Sequence, residues 1–351
     1  MTVEEIKIRR LTNQYLTEKA DKQTVVKDLC GIQAQFMPNA IHSLKIRSSE
    51  FDEKTVSEGL VKNWTIRGTV HVFSQDDLPL FINCNDGKNY RRNEWNGYSF
   101  WNQRDKWKLS PERQKYFSNI ILNTLADSVK TREELKDICR QNTMTEIEEN
   151  CMFDPWGGGI RELCERGFIN YTVKEKKEYC LSPEFTPMLK HESEIELARR
   201  YFTNFGPATI HDAQYFFKTT ASKVKEWLEV LPIESFEFKN KAYFFINNEK
   251  TYNKEIPDCI LLAGFDQLML GYEKKESLFL EQELIRGIFN LAGIVMPSIL
   301  FNGKIIGKWK MKNRIFSAEL FEDISSDKIK TIKDSAENLW SDLKKTNITT
   351  I

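Results

Sequence analysis

A pattern of two short helices followed by a β-hairpin recurs three times along this chain, and it restricts the possible folds most strongly. The first copy opens with a capping box at Thr2 and Glu5, and the second opens with the same box at Thr131 and Glu134. In the third copy Thr209 precedes the helical run, and the copies are expected to end near residues 73, 182 and 247. Because a winged helix has this layout, the repeat predicts three tandem winged helices. Such units bind DNA, or they serve only as a scaffold or dimer surface.

From about residue 257 onward the pattern changes to short β-rich runs. A turn at Asn302-Gly303 joins two of these runs, and a helix over about residues 327–343 follows them. We therefore predict an α+β fold with three tandem winged-helix units followed by a C-terminal β-barrel-like domain. The predicted domains are winged helix 1 (residues 1–85), a linker with winged helix 2 (86–190), winged helix 3 (191–250) and the β-barrel-like domain with a terminal helix (251–351).

The 351-residue chain has a globular composition, with 40% hydrophobic and 29% charged residues. No apolar run approaches the roughly 20 residues of a membrane span, and residues 1–5 do not resemble a secretory signal. We therefore expect a cytoplasmic protein without membrane association. The seven cysteines form no CxxC pair, and the four histidines are scattered. These spacings predict no metal site, and nothing in the sequence indicates a cofactor.

The net charge is zero, which argues against a general polyanion binder, but basic residues are concentrated locally. Residues 88–115 contain eight Lys or Arg residues against three acidic ones, and Arg91 and Arg92 lie close to several aromatic residues. A basic and aromatic mixture is typical of surfaces that bind unstacked bases, or it forms a packed linker between domains. Arg91 and Arg92 are therefore candidate DNA-binding residues.

A second basic segment lies in the predicted strand over residues 306–314. Lys308, Lys310 and Lys312 share one face of this strand, and large apolar residues share the other. A strand of this kind can lie on phosphates, which makes the three lysines candidate DNA-binding residues. Alternatively, it is a solvated edge strand whose lysines prevent pairing with another sheet.

Gln33 and Gln35 interrupt an apolar run over about residues 25–37. Burying an amide without a partner costs roughly 1–3 kcal/mol, so protein, trapped water or a ligand must satisfy it. An amide both donates and accepts hydrogen bonds, so a pair of them can hold a water molecule in a fixed orientation. The alternative is a polar helix face or a hydrogen-bonded pair in the core.

Five phrases occur in the order found in one protein family: Gly31-Ile32-Gln33-Ala34-Gln35, Trp64-Thr65-Ile66-Arg67-Gly68-Thr69-Val70-His71, Arg200-Tyr201 with Gly206-Pro207-Ala208-Thr209, Leu261-Leu262-Ala263-Gly264-Phe265-Asp266 with Leu270-Gly271-Tyr272, and Asn302-Gly303-Lys304-Ile305-Ile306-Gly307-Lys308-Trp309. Together they resemble the bacterial winged-helix DNA glycosylases of the AlkZ-like type. The resemblance implies three winged helices, a β-barrel around a basic channel, a monomer, and excision of alkylated purines, with crosslink unhooking in some members. Gln33 and Gln35 match the Gln-x-Gln motif of one subgroup.

The Gln-x-Gln match has a chemical consequence. An N7-alkylated purine is cationic and leaves as a neutral molecule, so the enzyme mainly positions water and stabilises the transition state. Glutamine orients water but cannot accept a proton as a carboxylate does. We therefore predict a monofunctional DNA glycosylase that hydrolyses the N-glycosidic bond of cationic N7- or N3-alkylated purines in double-stranded DNA. The alternative is a non-catalytic winged-helix DNA-binding protein or transcription regulator.

Three further candidates lie on the first predicted wing. Arg67, Thr69 and His71 follow or flank its turn, where Arg67 and His71 could contact phosphates near the lesion. For His71 the alternative is a satisfied hydrogen-bonding residue between sheet and helix. We therefore count all three as candidate nucleic-acid-binding residues.

Overall fold

The computed structural model describes residues 1–65, 67–82, 108–155, 157–252 and 255–350. The chain forms two compact units, one of Met1–Glu53 with Leu197–Ile351 and one of Lys54–Glu196. Helices and strands occur in both units, which confirms the predicted mixed α+β class. The four domains predicted from the sequence are not tested by this division and stay a prediction.

The helices and strands follow one another in a mixed order along the chain. The helices in the described ranges are α1 Val3–Asn13, α2 Lys22–Asp28, α3 Met37–Lys45, α4 Leu78–Phe81, α5 Pro111–Ala126, α6 Arg132–Gln141, α7 Glu146–Met152, α8 Gly158–Glu165, α9 Lys190–Asn204, α10 Ile210–Phe217, α11 Ala221–Val230, α12 Gln267–Leu270, α13 Ile285–Ile288 and α14 Ser326–Leu339. The strands there are β1 Ile32–Gln33, β2 Leu60–Trp64, β3 Val70–Ser74, β4 Lys130–Thr131, β5 Ile169–Tyr171, β6 Glu178–Leu181, β7 Glu234–Phe238, β8 Lys241–Phe245, β9 Cys259–Leu262, β10 Ser298–Phe301, β11 Lys304–Lys312, β12 Ile315–Leu320 and β13 Lys345–Thr350.

The local features of the repeated pattern are present. Side chains cap the helices at Thr2, Thr131 and Thr209, and each cap is a complete capping box. The hairpins β2–β3, β5–β6 and β7–β8 pair antiparallel, with Trp64 opposite Val70 at the first turn. These elements agree with the sequence-based interpretation, whereas the number of winged-helix units stays a prediction.

Within the unit of Lys54–Glu196, five described strands follow the order β3-β2-β5-β6-β4. The two hairpins therefore share one sheet. Helices α5 to α8 pack against it around an apolar core, in which Phe117, Leu135 and Leu163 of the helices are buried together with Tyr179 of β6. Burial of these side chains is the main favourable term that holds the hairpins against the helices.

The C-terminal sheet has the order β13-β12-β11-β10-β9. Its strands pair antiparallel except β12 and β13, which run parallel. The turn at Asn302-Gly303 forms as predicted, with positive φ at both residues. Because β9 and β13 end the order, the sheet is open among the described residues, and the predicted barrel is not shown. Helix α14 packs on this sheet through Ile332 and Ala336.

A buried ion pair fixes helix α3 in the first unit. The guanidinium of Arg47 donates to both carboxylate oxygens of Asp266, at 2.6 and 2.9 Å, and both side chains are fully buried. Arg47 also donates to the carbonyl of Gln14 at 3.0 Å and to the hydroxyl of Ser43 at 2.9 Å. Asp266 accepts from the backbone N–H of Leu268 at 2.9 Å and caps α12. One ion pair therefore joins the ends of α1 and α3 to the start of α12.

The substitution Asp266→Asn tests this ion pair, because asparagine retains the helix cap but leaves Arg47 buried without its counter-charge. Breaking a buried pair in this way typically costs about 3–5 kcal/mol, so we expect the free energy of unfolding in urea to fall by about that amount. The control Asp342→Asn breaks the exposed pair with Arg314 (3.1 Å). It should change the stability by less than about 1 kcal/mol, and equal losses in the two variants would contradict the structural role.

Candidate functional site

The two candidate catalytic glutamines lie in a short connection between helices α2 and α3. Cys30 and Gly31 both have positive φ, and the N–H of Gly31 donates to the carbonyl of Val26 at 2.8 Å, which ends α2. The chain then extends through β1, which contains Gln33, and bends at Gln35 before α3 begins. Two helix ends therefore fix the course of the connection from both sides.

The two amides differ in their exposure. Gln33 is only 8% exposed, and its neighbours Ile32 and Ala34 are fully buried, as the sequence predicts. Gln35 is exposed, because the chain leaves the extended conformation there and turns outward into α3. The expectation that both amides lie within a buried run is therefore wrong for Gln35. Neither side-chain amide makes a hydrogen bond within the described residues, so both retain their donors and acceptors for water or a ligand.

The residues directly after Gln35 pack on the loop that follows β9. The ring of Phe36 stacks on that of Phe265 at 5.7 Å between centroids, while 44% of Phe36 remains exposed. Asn39 packs closely on Gly264, where a Cβ would lie 2.8 Å from the Asn39 side-chain nitrogen. A larger residue at position 264 would force the Asn39 side chain to move.

His42 holds the middle of α3 against β9. Its Nε2–H donates to the carbonyl of Leu261 at 2.7 Å, and its ring stacks on Trp340 at 5.3 Å. Burial lowers the pKa of His42 to about 4, so the imidazole is neutral at pH 7. His42 and Arg47 are structural residues of the site that the sequence interpretation did not single out. The available signal was a histidine inside the helical run after the glutamines and an arginine just beyond its end.

The candidate residues of the first hairpin contact one another. Arg67 donates to Nε2 of His71 at 3.2 Å, and Nδ1 of His71 lies 2.9 Å from the carbonyl of Thr69 and 3.1 Å from the hydroxyl of Thr65. Arg67 is 7% exposed, His71 is fully buried, and Thr69 is half-buried. This geometry matches the alternative interpretation of His71 as a satisfied hydrogen-bonding residue. Contact of these residues with DNA stays a prediction.

The lysines of β11 occupy one face, as the sequence predicts. Trp309 points to the other face, into the core, and its indole N–H donates to the carbonyl of Leu262 at 2.9 Å. Glu319 of β12 moderates the basic character of this face: its carboxylate lies 3.0 Å from Lys308 and 4.0 Å from Lys310. The DNA-binding role of the three lysines, Lys312 included, is not tested by this geometry.

Two further candidates, Arg91 and Arg92, lie outside the described residues. In the ranges that the structure describes, no group of three or more His, Cys, Asp or Glu side chains is placed to hold a metal ion. None of the helices in those ranges has the length and apolar character that crossing a bilayer requires.

Comparison with known proteins identifies the class. A family model described as "DNA glycosylase AlkZ-like" matches residues 26–339, which include the glutamine connection and strands β1 to β12. The protein is therefore a DNA glycosylase, and the enzyme prediction is confirmed. Within that class, the chain belongs to the AlkZ-like family. Family membership favours the enzyme over the non-catalytic regulator.

Two further comparisons agree with this result. The chain is 23% identical over 362 residues to the "Interstrand DNA cross-link repair glycosylase" of Streptomyces sahachiroi, covering 94% of this chain and 93% of the relative. It also resembles the solved structure of the Streptomyces sahachiroi DNA glycosylase AlkZ, with a TM-score of 0.77, 19% identity and full coverage of both chains. The structural likeness shows that the fold is shared.

Replacing Lys308, Lys310 and Lys312 together by Gln tests the β11 face. Each phosphate contact contributes about 0.9 to the salt slope of duplex affinity, so the slope should become shallower by up to about three contacts. The matched control replaces three exposed lysines of α14, Lys328, Lys330 and Lys333, by Gln. If the slope of the β11 variant equals that of the wild type, this face is merely solvated.

The buried His42 makes stability depend on pH. Its pKa of about 4 lies below the ordinary value of 6.5, so the unfolded chain binds the proton more readily. The stability that the buried neutral His42 contributes is therefore complete above about pH 6.5 and is lost as the pH falls through about 4. In urea unfolding over this pH range, the free energy of unfolding should fall less for His42→Gln than for the wild type. Because His71 is present in both proteins, parallel profiles would contradict this role of His42.

Proposed function

We propose that the protein hydrolyses the N-glycosidic bond of cationic N7- or N3-alkylated purines in double-stranded DNA, with Gln33 and Gln35 positioning the attacking water. The observation that supports this most is the pair of amides with no hydrogen-bond partner in the described residues, held in a connection that two helices fix. Gln33 is nearly buried and Gln35 is exposed, so solvent has access to the Gln35 side of the pair.

The chemistry of an amide accounts for the proposed substrate. Breaking the bond to a cationic purine releases a neutral base, so no acid has to protonate the leaving group. The sugar develops positive charge in the transition state, and the carbonyl dipoles of two oriented glutamines stabilise that charge and hold a water molecule near the anomeric carbon. Because an amide cannot accept the water's proton, attack takes place late, after the base has largely departed, and the proton passes to bulk water once the new C–O bond has formed.

DNA binding is proposed to involve the hairpins and basic surfaces. We assign the three helix-helix-hairpin patterns to three winged-helix units. We also propose that the protein is a monomer. Arg67, Thr69 and His71 would shape the first wing, with Arg67 near a phosphate. Arg91 and Arg92, together with the lysines of β11, would supply further phosphate contacts. The support is the pairing of each hairpin and the alternation of lysines along β11.

Crosslinked DNA is a second proposed substrate. The Streptomyces sahachiroi relative is named as an interstrand DNA cross-link repair glycosylase. A crosslink that joins two N7-alkylated purines presents the same cationic leaving group as a simple N7 adduct. The same two glutamines would therefore unhook one strand by hydrolysing one of the two glycosidic bonds.

The single variants Gln33→Ala and Gln35→Ala test the proposed mechanism. Each should slow release of N7-methylguanine by roughly 10–1000-fold under single-turnover conditions, the scale of losing one group that positions water or stabilises the transition state. Duplex affinity and thermal stability should remain close to wild type. Gln141→Ala, an exposed glutamine at the end of α6, is the matched control and should leave the rate unchanged.

The choice of lesion tests the same mechanism in the unaltered protein. Uracil and 1,N6-ethenoadenine are neutral leaving bases that need protonation, so they should remain almost untouched. If the protein excises these bases as fast as N7-methylguanine, another residue must act as an acid and the glutamine mechanism is wrong. If it releases no cationic base, the proposed substrate class is wrong.

A further inference from the structure

A cavity of about 580 Å³ lies in the first unit, away from the residues discussed so far. Helix α1, the hairpin β7–β8, the segment of residues 275–282 and the start of β11 form its walls. Five lysines line it: Lys7, Lys239, Lys241, Lys275 and Lys304. Two of its lining residues are acidic, so the cavity carries an excess of positive charge although the whole chain is neutral.

The two acidic residues leave most of this charge uncompensated. Lys241 pairs with Glu276 at 2.9 Å, and Lys304 pairs with Glu281 at 3.1 Å. The ammonium groups of Lys7, Lys239 and Lys275 have no carboxylate within ion-pair distance among the described residues. Three positive groups therefore face one concave surface without an anion.

The position of Lys7 shows the electrostatic cost of this arrangement. Burial and the nearby charge of Lys304 lower the pKa of Lys7, and only Glu4 opposes that effect. The Lys7 ammonium also lies 5.7 Å from the ring of Phe279, a contact that stabilises a cation only modestly. An anion in the cavity would relieve the repulsion between these lysines.

The hairpin that forms one wall is the third predicted wing. Its turn consists of Lys239 and Asn240, which both have positive φ, and this tight turn places Lys239 and Lys241 at the cavity. Phosphate groups are the anions that basic side chains on DNA-binding proteins most commonly contact. We propose that this cavity binds a backbone phosphate of the DNA strand, away from the glutamine connection. This assignment rests on the proposed function only in taking DNA as the substrate.

The double variant Lys7→Gln with Lys275→Gln tests the proposal, because it removes two unpaired charges and leaves both ion pairs intact. Affinity for a short undamaged duplex should fall, and the salt slope should become shallower by about one phosphate contact. The matched control is Lys330→Gln with Lys333→Gln on α14, which removes the same charge elsewhere. Lys7→Arg, which retains the charge, should keep the wild-type slope.

The outcomes separate the possible ligands. An unchanged slope, or an equal loss in the α14 control, would overturn the proposal. Binding of inorganic pyrophosphate that falls in the double variant while duplex binding does not would assign the cavity to a free phosphate compound and would also overturn it. Because the duplex is undamaged, failure to release an alkylated base would count against the proposed function and leave this result standing.

Discussion

The ion pair between Arg47 and Asp266 is the interaction on which the arrangement around the glutamine connection depends. Burying two charges is costly, and only a two-point geometry with further hydrogen bonds offsets that cost. The carbonyl of Gln14 and the side chain of Ser43 supply those further hydrogen bonds. The pair therefore ties the end of α3 to the loop after β9, and Phe36 and His42 dock α3 at two more points. Gln35 lies two residues before α3, so the position of this helix determines where Gln35 lies.

Local features of this fold could be predicted from sequence, because capping boxes and alternating strands depend on residues close in the chain. Thr131 and the turn at Asn302-Gly303 are examples. Features that depend on pairing between segments far apart in the chain could not be predicted in this way. β13 pairs parallel with β12 and forms one edge of the open sheet, and no local pattern signals which strand β13 joins. The exposure of Gln35 was missed for a related reason, since the point at which α3 begins decides it.

The candidate site combines an enclosed amide with an exposed one, and this asymmetry is informative. Gln33 resembles a core residue in its burial but lacks the hydrogen-bond partners that a core amide normally has. By contrast, the buried polar residues Arg67 and His71 bond to each other within their own hairpin. From the sequence alone, Gln33, Arg67 and His71 are equally good candidates, because a sequence does not show which buried polar group already has a hydrogen-bond partner.

The first unit is assembled from two stretches of chain, Met1–Glu53 and Leu197–Ile351, with the second unit between them. Arg47 precedes Asp266 by 219 positions. At a synthesis rate of about 5–20 residues per second, the ribosome adds Asp266 roughly 10–40 s after Arg47. During that interval the glutamine connection has no β9 loop to dock on. A nascent chain that already contains both catalytic candidates is therefore not yet a glycosylase, and the unit of Lys54–Glu196 has its whole sequence available to fold first.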